Sequence, residues 1–135
     1  MPLRYLLDTN IISELVRRPQ GQVSGRIAGV GDDSICTSVV VAAELRFGAE
    51  KSESKLLAQR VDLLLSALEI LPLEPPAERR YGEIRHHLAR QGTPIGPNDL
   101  VIAAHVLAAD LTLVTANTRE FERVPSLRVE NWLLE

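Results

Sequence analysis

The chain has 135 residues, room for one domain, and a domain of that size typically buries about two-thirds of its unfolded surface, so its core needs no staple. Fifteen Lys and Arg against 18 Asp and Glu leave a net charge of −3, which excludes broad, nonspecific attraction to nucleic acid and leaves room only for a local basic patch. The single cysteine, Cys36, excludes an internal disulfide; no apolar run approaches the roughly 18 residues of a membrane span, and the first residues lack a secretory pattern, so a cytoplasmic protein without membrane association is expected.

In chain order, "LRYLL" (3–7) is apolar enough for a buried strand and runs into Asp8, Thr9 and Asn10, after which a helix is expected over about 10–17. "SICTS" (34–38) predicts a second strand, followed by a helix over 39–49 that continues from 52 to about 67. "LEILPL" (68–73) predicts a third strand, and helices follow over 76–90 and 98–109, separated by the Gly/Pro-rich loop "GTPIGPND" (92–99). "LTLVTA" (111–116) and "LRVENW" (127–132) close the series as strands. Strands alternating with helices predict an α/β fold with a parallel sheet and right-handed crossovers. Neither an internal repeat nor a low-complexity segment interrupts it, so one domain over 1–135 is expected.

Three carboxylates stand where apolar residues are expected. In "YLLDTNIISEL" (5–15), Asp8 ends a buried strand, the edge at which open α/β sheets place their active sites, although it also suits a helix N-cap. Glu44 follows five apolar residues, Val39–Ala43, and shares a helix face with Val40 and Phe47. An isolated buried carboxylate is strongly disfavoured, so Glu44 needs a cation, a hydrogen-bond network or a proton. Asp99 opens the apolar helix "NDLVIAAHVLAAD", where it or Asn98 also suits a cap. Asp8 and Glu44 come from the strand-to-helix edge of a parallel sheet, and the 92–98 loop is expected to bring the start of the Asp99 helix to the same edge, so that all three face one cleft. Such a cluster repels itself unless neutralised, and oxygen ligands suit Mg²⁺ or Mn²⁺, which orients water and neutralises charge on a phosphoryl group. Metal-assisted phosphodiester hydrolysis is the chemistry this arrangement predicts.

These same segments carry a family resemblance. "LLDTNIISEL", "TSVVVAAELRFGA", "NDLVIAAHVLAAD" and "LTLVTANTREFERVPSLRVENW" resemble, in order and over nearly the whole chain, the successive motifs of PIN-domain ribonucleases, nearest to the VapC-type toxins of bacterial toxin–antitoxin pairs and their FitB-like members. The resemblance implies a three-layer PIN-like fold with a central five-stranded parallel sheet. It also implies a Mg²⁺-dependent endoribonuclease that forms a homodimer and is held inactive by a cognate antitoxin. Carried across by position, Asp8 and Asp99 are the principal metal ligands and Glu44 completes the acidic cluster. Asn117 stands where many members have an aspartate, so three acids carry a formal −3 and one tightly held metal per chain is expected.

Supporting residues are weaker signals. Asn10 and Thr115 flank the expected cleft but also suit a cap and a turn, respectively. Asn117 offers an amide to a metal or its water, and Glu120, three residues on, offers a further carboxylate or a surface pair with Arg119 or Arg123. Arg79, Arg80, Arg85 and Arg90 lie on the helix leading to the 92–98 loop and are RNA-contact candidates, in competition with pairing to Glu78 and Glu83. His86, His87 and His105 lack metal-ligand spacing, and neither Ser13 nor Cys36 has a recognisable base partner. An aspartyl phosphatase is disfavoured because Asn10 replaces its second Asp. The alternative is a noncatalytic PIN-like module that binds RNA or protein through a degraded site.

Overall fold

The computed structural model describes residues 2–133. Its five strands fall inside the five apolar runs: β1 (Tyr5–Leu7), β2 (Ile35–Ser38), β3 (Glu69–Leu71), β4 (Thr112–Val114) and β5 (Arg128–Glu130). All pair in parallel, in the order β3-β2-β1-β4-β5. Successive strand residues point to opposite faces, and every residue of β1 and β2 is buried, so the central strands are covered on both sides, as parallel sheets require. Both edge strands are partly exposed. The chain builds outward from β1 to β3, then returns to the other side of β1 to add β4 and β5. This reversal places a topological switch point between β1 and β4.

The helices are α1 (Thr9–Arg17), α2 (Gln22–Val30), α3 (Val39–Ser52), α4 (Lys55–Ala67), α5 (Ala77–Gln91), α6 (Pro97–Ala109) and the short α7 (Thr118–Phe121). Two corrections to the sequence reading arise here. Helix α2 was not expected, because Gly25 and Gly29 lower helix propensity and mask an apolar spacing in which Val23 is buried and Ile27 and Val30 pack on the core. The stretch 39–67 is not one helix with a continuation: Glu53 adopts a left-handed conformation at φ 58°, and the Ser54 hydroxyl accepts from Leu57 N–H at 3.1 Å to start α4 afresh. Ser-Glu-Ser at 52–54 held that signal.

Helices α5 and α6 form a hairpin turned by Gly92 at φ 70°, a left-handed C-cap that glycine adopts without strain. Pro97 opens α6 at its first position, where a missing N–H costs nothing. Downstream, Phe121 is fully buried and anchors α7, while Arg123 donates to the Pro94 carbonyl at 3.1 Å and ties this turn to the loop before α6. Trp132 packs edge-on to Tyr5, ring centroids 5.2 Å apart, and closes the core behind β1. No helix among the described residues is long and apolar enough to cross a membrane.

Candidate active site

Asp8 leaves β1 at the switch point and is 3% exposed. Its Oδ1 accepts from Thr9 N–H at 2.8 Å, and its Oδ2 accepts from the Thr115 hydroxyl at 2.8 Å and, more weakly, from the Asn10 amide at 3.4 Å. Asp8 is therefore the residue at the N-cap of α1. Asn10 instead reaches across the switch point, accepting from Ala116 N–H at 2.8 Å and donating to Thr115 at 3.3 Å. The Thr115 oxygen also accepts from Asn117 N–H at 3.0 Å and so satisfies the turn. Burial raises the Asp8 pKa and the nearby Glu44 charge adds to this, against the lowering effect of its three hydrogen bonds.

Glu44 projects from α3 toward the same edge and is half-buried. The Thr9 hydroxyl donates to Oε1 at 2.7 Å and the Asn98 amide to Oε2 at 3.2 Å. A hydrogen-bond network, rather than a basic partner, is thus what accommodates this carboxylate. Neither Asn98 nor Asp99 caps α6, because the cap position is Gly96. Asp99 lies half-buried in the first turn of α6, and its pKa is pushed up to about 7 by burial, by the charges of Glu120, Asp8 and Glu44, and by side-chain hydrogen bonding with Glu120.

Glu120 comes closer to the cluster than its sequence neighbours suggest. It accepts from Gly96 N–H at 2.9 Å and from the Asn117 amide. Among the described residues it forms no salt bridge with Arg119 or Arg123. Burial works to raise its pKa, but the Gly96 N–H, the Asn117 amide and Asp99 outweigh it and hold the carboxyl low. Gly96 sits between the two acids: a Cβ there would lie 3.8 Å from Asp99 Oδ2 and 3.9 Å from Glu120 Oε1.

Four carboxylates thus share one edge, giving a formal −4 when fully ionised rather than the −3 counted from Asp8, Glu44 and Asp99. Among the described residues, no three Asp, Glu, His or Cys side chains stand close enough to form a ready-made metal cage. Instead, the oxygens of Asp8, Glu44 and Glu120 are turned onto protein donors. The donor set is entirely hard oxygen, and the raised Asp99 pKa reflects burial first and then the neighbouring carboxylates, a crowding that a hydrated divalent cation would relieve.

The basic helix divides along its length. Arg80 pairs with Glu83 at 3.3 Å and lines a groove with Asp110 and Arg128, at the end of α6 opposite Asp99. A 13-residue helix spans about 20 Å, which removes Arg80 from the acids. Arg85 donates to the Tyr81 hydroxyl at 3.0 Å, beside the Pro94–Pro97 loop, and Arg79 and Arg90 are exposed. His105 is buried, with Nδ1 2.8 Å from the Ser38 hydroxyl and a pKa lowered by burial; His86 and His87 are exposed. Burial pushes the Cys36 thiol up to about 12, so it is no nucleophile. The sequence reading missed Thr9 and Asn98 as donors to Glu44, and the Gly96 N–H as a donor to Glu120. A backbone donor leaves no trace in side-chain identity.

Comparison with known proteins gives the same reading from another direction. The PIN-domain family pattern matches residues 5–127. Ribonuclease VapC2 of Haemophilus influenzae is 42% identical over 133 residues, covering 97% of this chain and 99% of that protein. The tRNA(fMet)-specific endonuclease VapC of Shigella flexneri is 40% identical over 132 residues, covering 96% and 98%. Among solved structures, VapBC2 from Rickettsia felis bound to a promoter DNA fragment superposes with a TM-score of 0.89 at 38% identity, covering 98% of this chain and 99% of that one.

Proposed function

Because the chain belongs to the PIN-domain family, among its VapC-type ribonucleases, we propose that it acts as a single PIN domain, residues 1–135, that hydrolyses RNA as the toxin of a toxin–antitoxin pair. The observation that carries this reading is the convergence of Asp8, Glu44, Asp99 and Glu120 at the switch point of the sheet. Dependence on a divalent cation is the property of this family, and Mg²⁺, with Mn²⁺ as a substitute, is the ion we assign. Asp8 and Asp99 are its principal ligands and Glu44 completes the acidic set, with Glu120 a fourth acid beside Asp99. When bound, the ion supplies charge neutralisation at the scissile phosphate and a polarised water.

The chain's own residues supply position. Thr115 and Asn10 fix the Asp8 carboxylate, and Thr9 and Asn98 fix that of Glu44. Preorganisation of this kind spares the site the cost of ordering its ligands when substrate arrives. Arg85 and Arg90 are the basic residues placed to meet the RNA backbone, with Arg79 and Arg80 farther along the same helix. The relatives' names make initiator transfer RNA the first substrate to try. The solved VapBC complexes support a cognate antitoxin as partner, and the resemblance supports a homodimer; the single cysteine and the first residues support a place in the cytoplasm.

The rival, a noncatalytic module, rested on a missing acid at position 117. Glu120, standing against Asp99, weakens that argument. Titrating Mg²⁺ into the purified protein by calorimetry, then incubating it with RNA with and without EDTA, separates the two. Cation binding and EDTA-sensitive cleavage support the nuclease; RNA binding without either supports the module.

A further inference from the structure

Asn117 occupies a position at which many members of the resembled family have an aspartate, yet its amide donates to a neighbouring carboxylate. Its Nδ2 donates to Glu120 Oε2, while the Gly96 N–H donates to Oε1 at 2.9 Å. Each Glu120 oxygen therefore has its own donor, one from the turn that carries it and one from the loop before α6. The backbone of Asn117 is held in turn, because its N–H donates to Thr115 Oγ1 at 3.0 Å and the same hydroxyl donates to Asp8 at 2.8 Å. A chain of hydrogen bonds thus runs from Asp8 through Thr115 and Asn117 to Glu120, which lies against Asp99. Phe121, fully buried next to Glu120, stops the turn from swinging away.

We infer that Asn117 is a positioning residue that holds the Glu120 carboxylate against Asp99, so that the amide at 117 and the acid at 120 work as a pair. The inference rests on the proposed metal-dependent reading of the site and specifies how its fourth acid is held. A carboxylate at 117 in place of the amide brings two like charges to hydrogen-bond distance. Adding an acid there, with Glu120 present, does not strengthen the site. The pair is in principle reversible: an acid at 117 facing an amide at 120 keeps both the hydrogen bond and the charge.

A double-mutant cycle with Mn²⁺ as the probe tests this, measured by calorimetry on the full chain, with circular dichroism confirming that each variant folds. Both side chains are at least partly exposed, so folding survives the changes. Asn117→Ala is expected to weaken Mn²⁺ binding about tenfold, the usual effect of losing a residue that orients a ligand. In a Glu120→Gln background it is expected to cost less than about twofold, because non-additivity identifies residues that act through one another. Asn117→Asp alone is expected not to tighten binding, whereas Asn117→Asp with Glu120→Gln recovers most of the affinity that Glu120→Gln loses. Equal losses in both backgrounds, no loss from Asn117→Ala, or tighter binding by Asn117→Asp alone would overturn the inference while leaving the metal site standing. A parent protein that binds no Mn²⁺ defeats the metal reading itself, and the inference with it.

Discussion

The Thr115 hydroxyl donates to Asp8 Oδ2 at 2.8 Å, joining the carboxyl ends of the two strands between which the chain reverses its direction across the sheet. Both groups are buried, so each depends on the other. Thr115→Val keeps the shape of the side chain but leaves Asp8 Oδ2 and the Asn117 N–H each short of a partner. Such a loss costs about 1–3 kcal/mol of stability, and an effect on kcat/KM of about 10- to 100-fold is expected from a displaced ligand. Thr115→Ser restores the hydroxyl and is expected to recover most of both. Thermal melts and RNA cleavage rates of the two variants, measured side by side, check this.

Asp99 gives the metal-free protein one expected pH dependence. Its folded pKa, about 7, stands above the ordinary value of 3.8, so between those values the folded state holds more protons than the unfolded one. Its contribution to stability is present in full below pH 3.8 and is lost as pH rises toward about 7. In EDTA, the melting temperature is expected to fall between pH 5 and pH 7, after allowance for other groups, and Asp99→Asn is expected to flatten that fall. A parent and variant with parallel profiles would show that Asp99 does not carry the effect.

The arginine helix yields a contrast. Arg80 is paired with Glu83 and lies toward the far end of α6 from Asp99, whereas Arg90 belongs to the last turn of α5, next to the loop that leads to the acids. Arg90→Ala is expected to raise KM for RNA several-fold, of the order of one lost phosphate contact, with kcat little changed. Arg80→Ala is expected to leave both constants within about twofold, since losing an exposed ion pair costs little. Steady-state kinetics on one RNA substrate distinguishes the two residues.

Much of this fold was legible in the sequence because its central strands β1 and β2 are buried on both faces and all five strands fall inside short, mostly apolar or β-branched runs. Asp8, Glu44 and Asp99 stood out by breaking such runs, which is why charges at a sheet edge can be read from one sequence. Helix α2 was hidden by its two glycines, and the break at Glu53 was carried only by the short Ser-Glu-Ser stretch between two longer helix-forming runs. Glu120 was read as a further carboxylate or a surface pair, and its place beside Asp99 had no local signal. It depends on Phe121 and Arg123 docking the α7 turn against the loop before α6, a tertiary event that places a carboxylate beside Asp99 from 21 residues away. Asn98 was read only as a helix cap because its contact, Glu44, lies on another helix.

In the proposed function, the acids at the switch point make this chain a metal-dependent ribonuclease. Cleavage of initiator transfer RNA in Mg²⁺, by the parent and by Asp8→Asn purified identically, tests it most directly. Asp8→Asn removes one charge from a crowded, buried site, so it is expected to melt no lower than the parent while losing essentially all cleavage. EDTA is expected to reduce the parent to the same level, and Asp99→Asn and Glu44→Gln are expected to follow Asp8→Asn closely. An Asp8→Asn protein that cleaves RNA as fast as the parent would contradict the account and place the activity elsewhere.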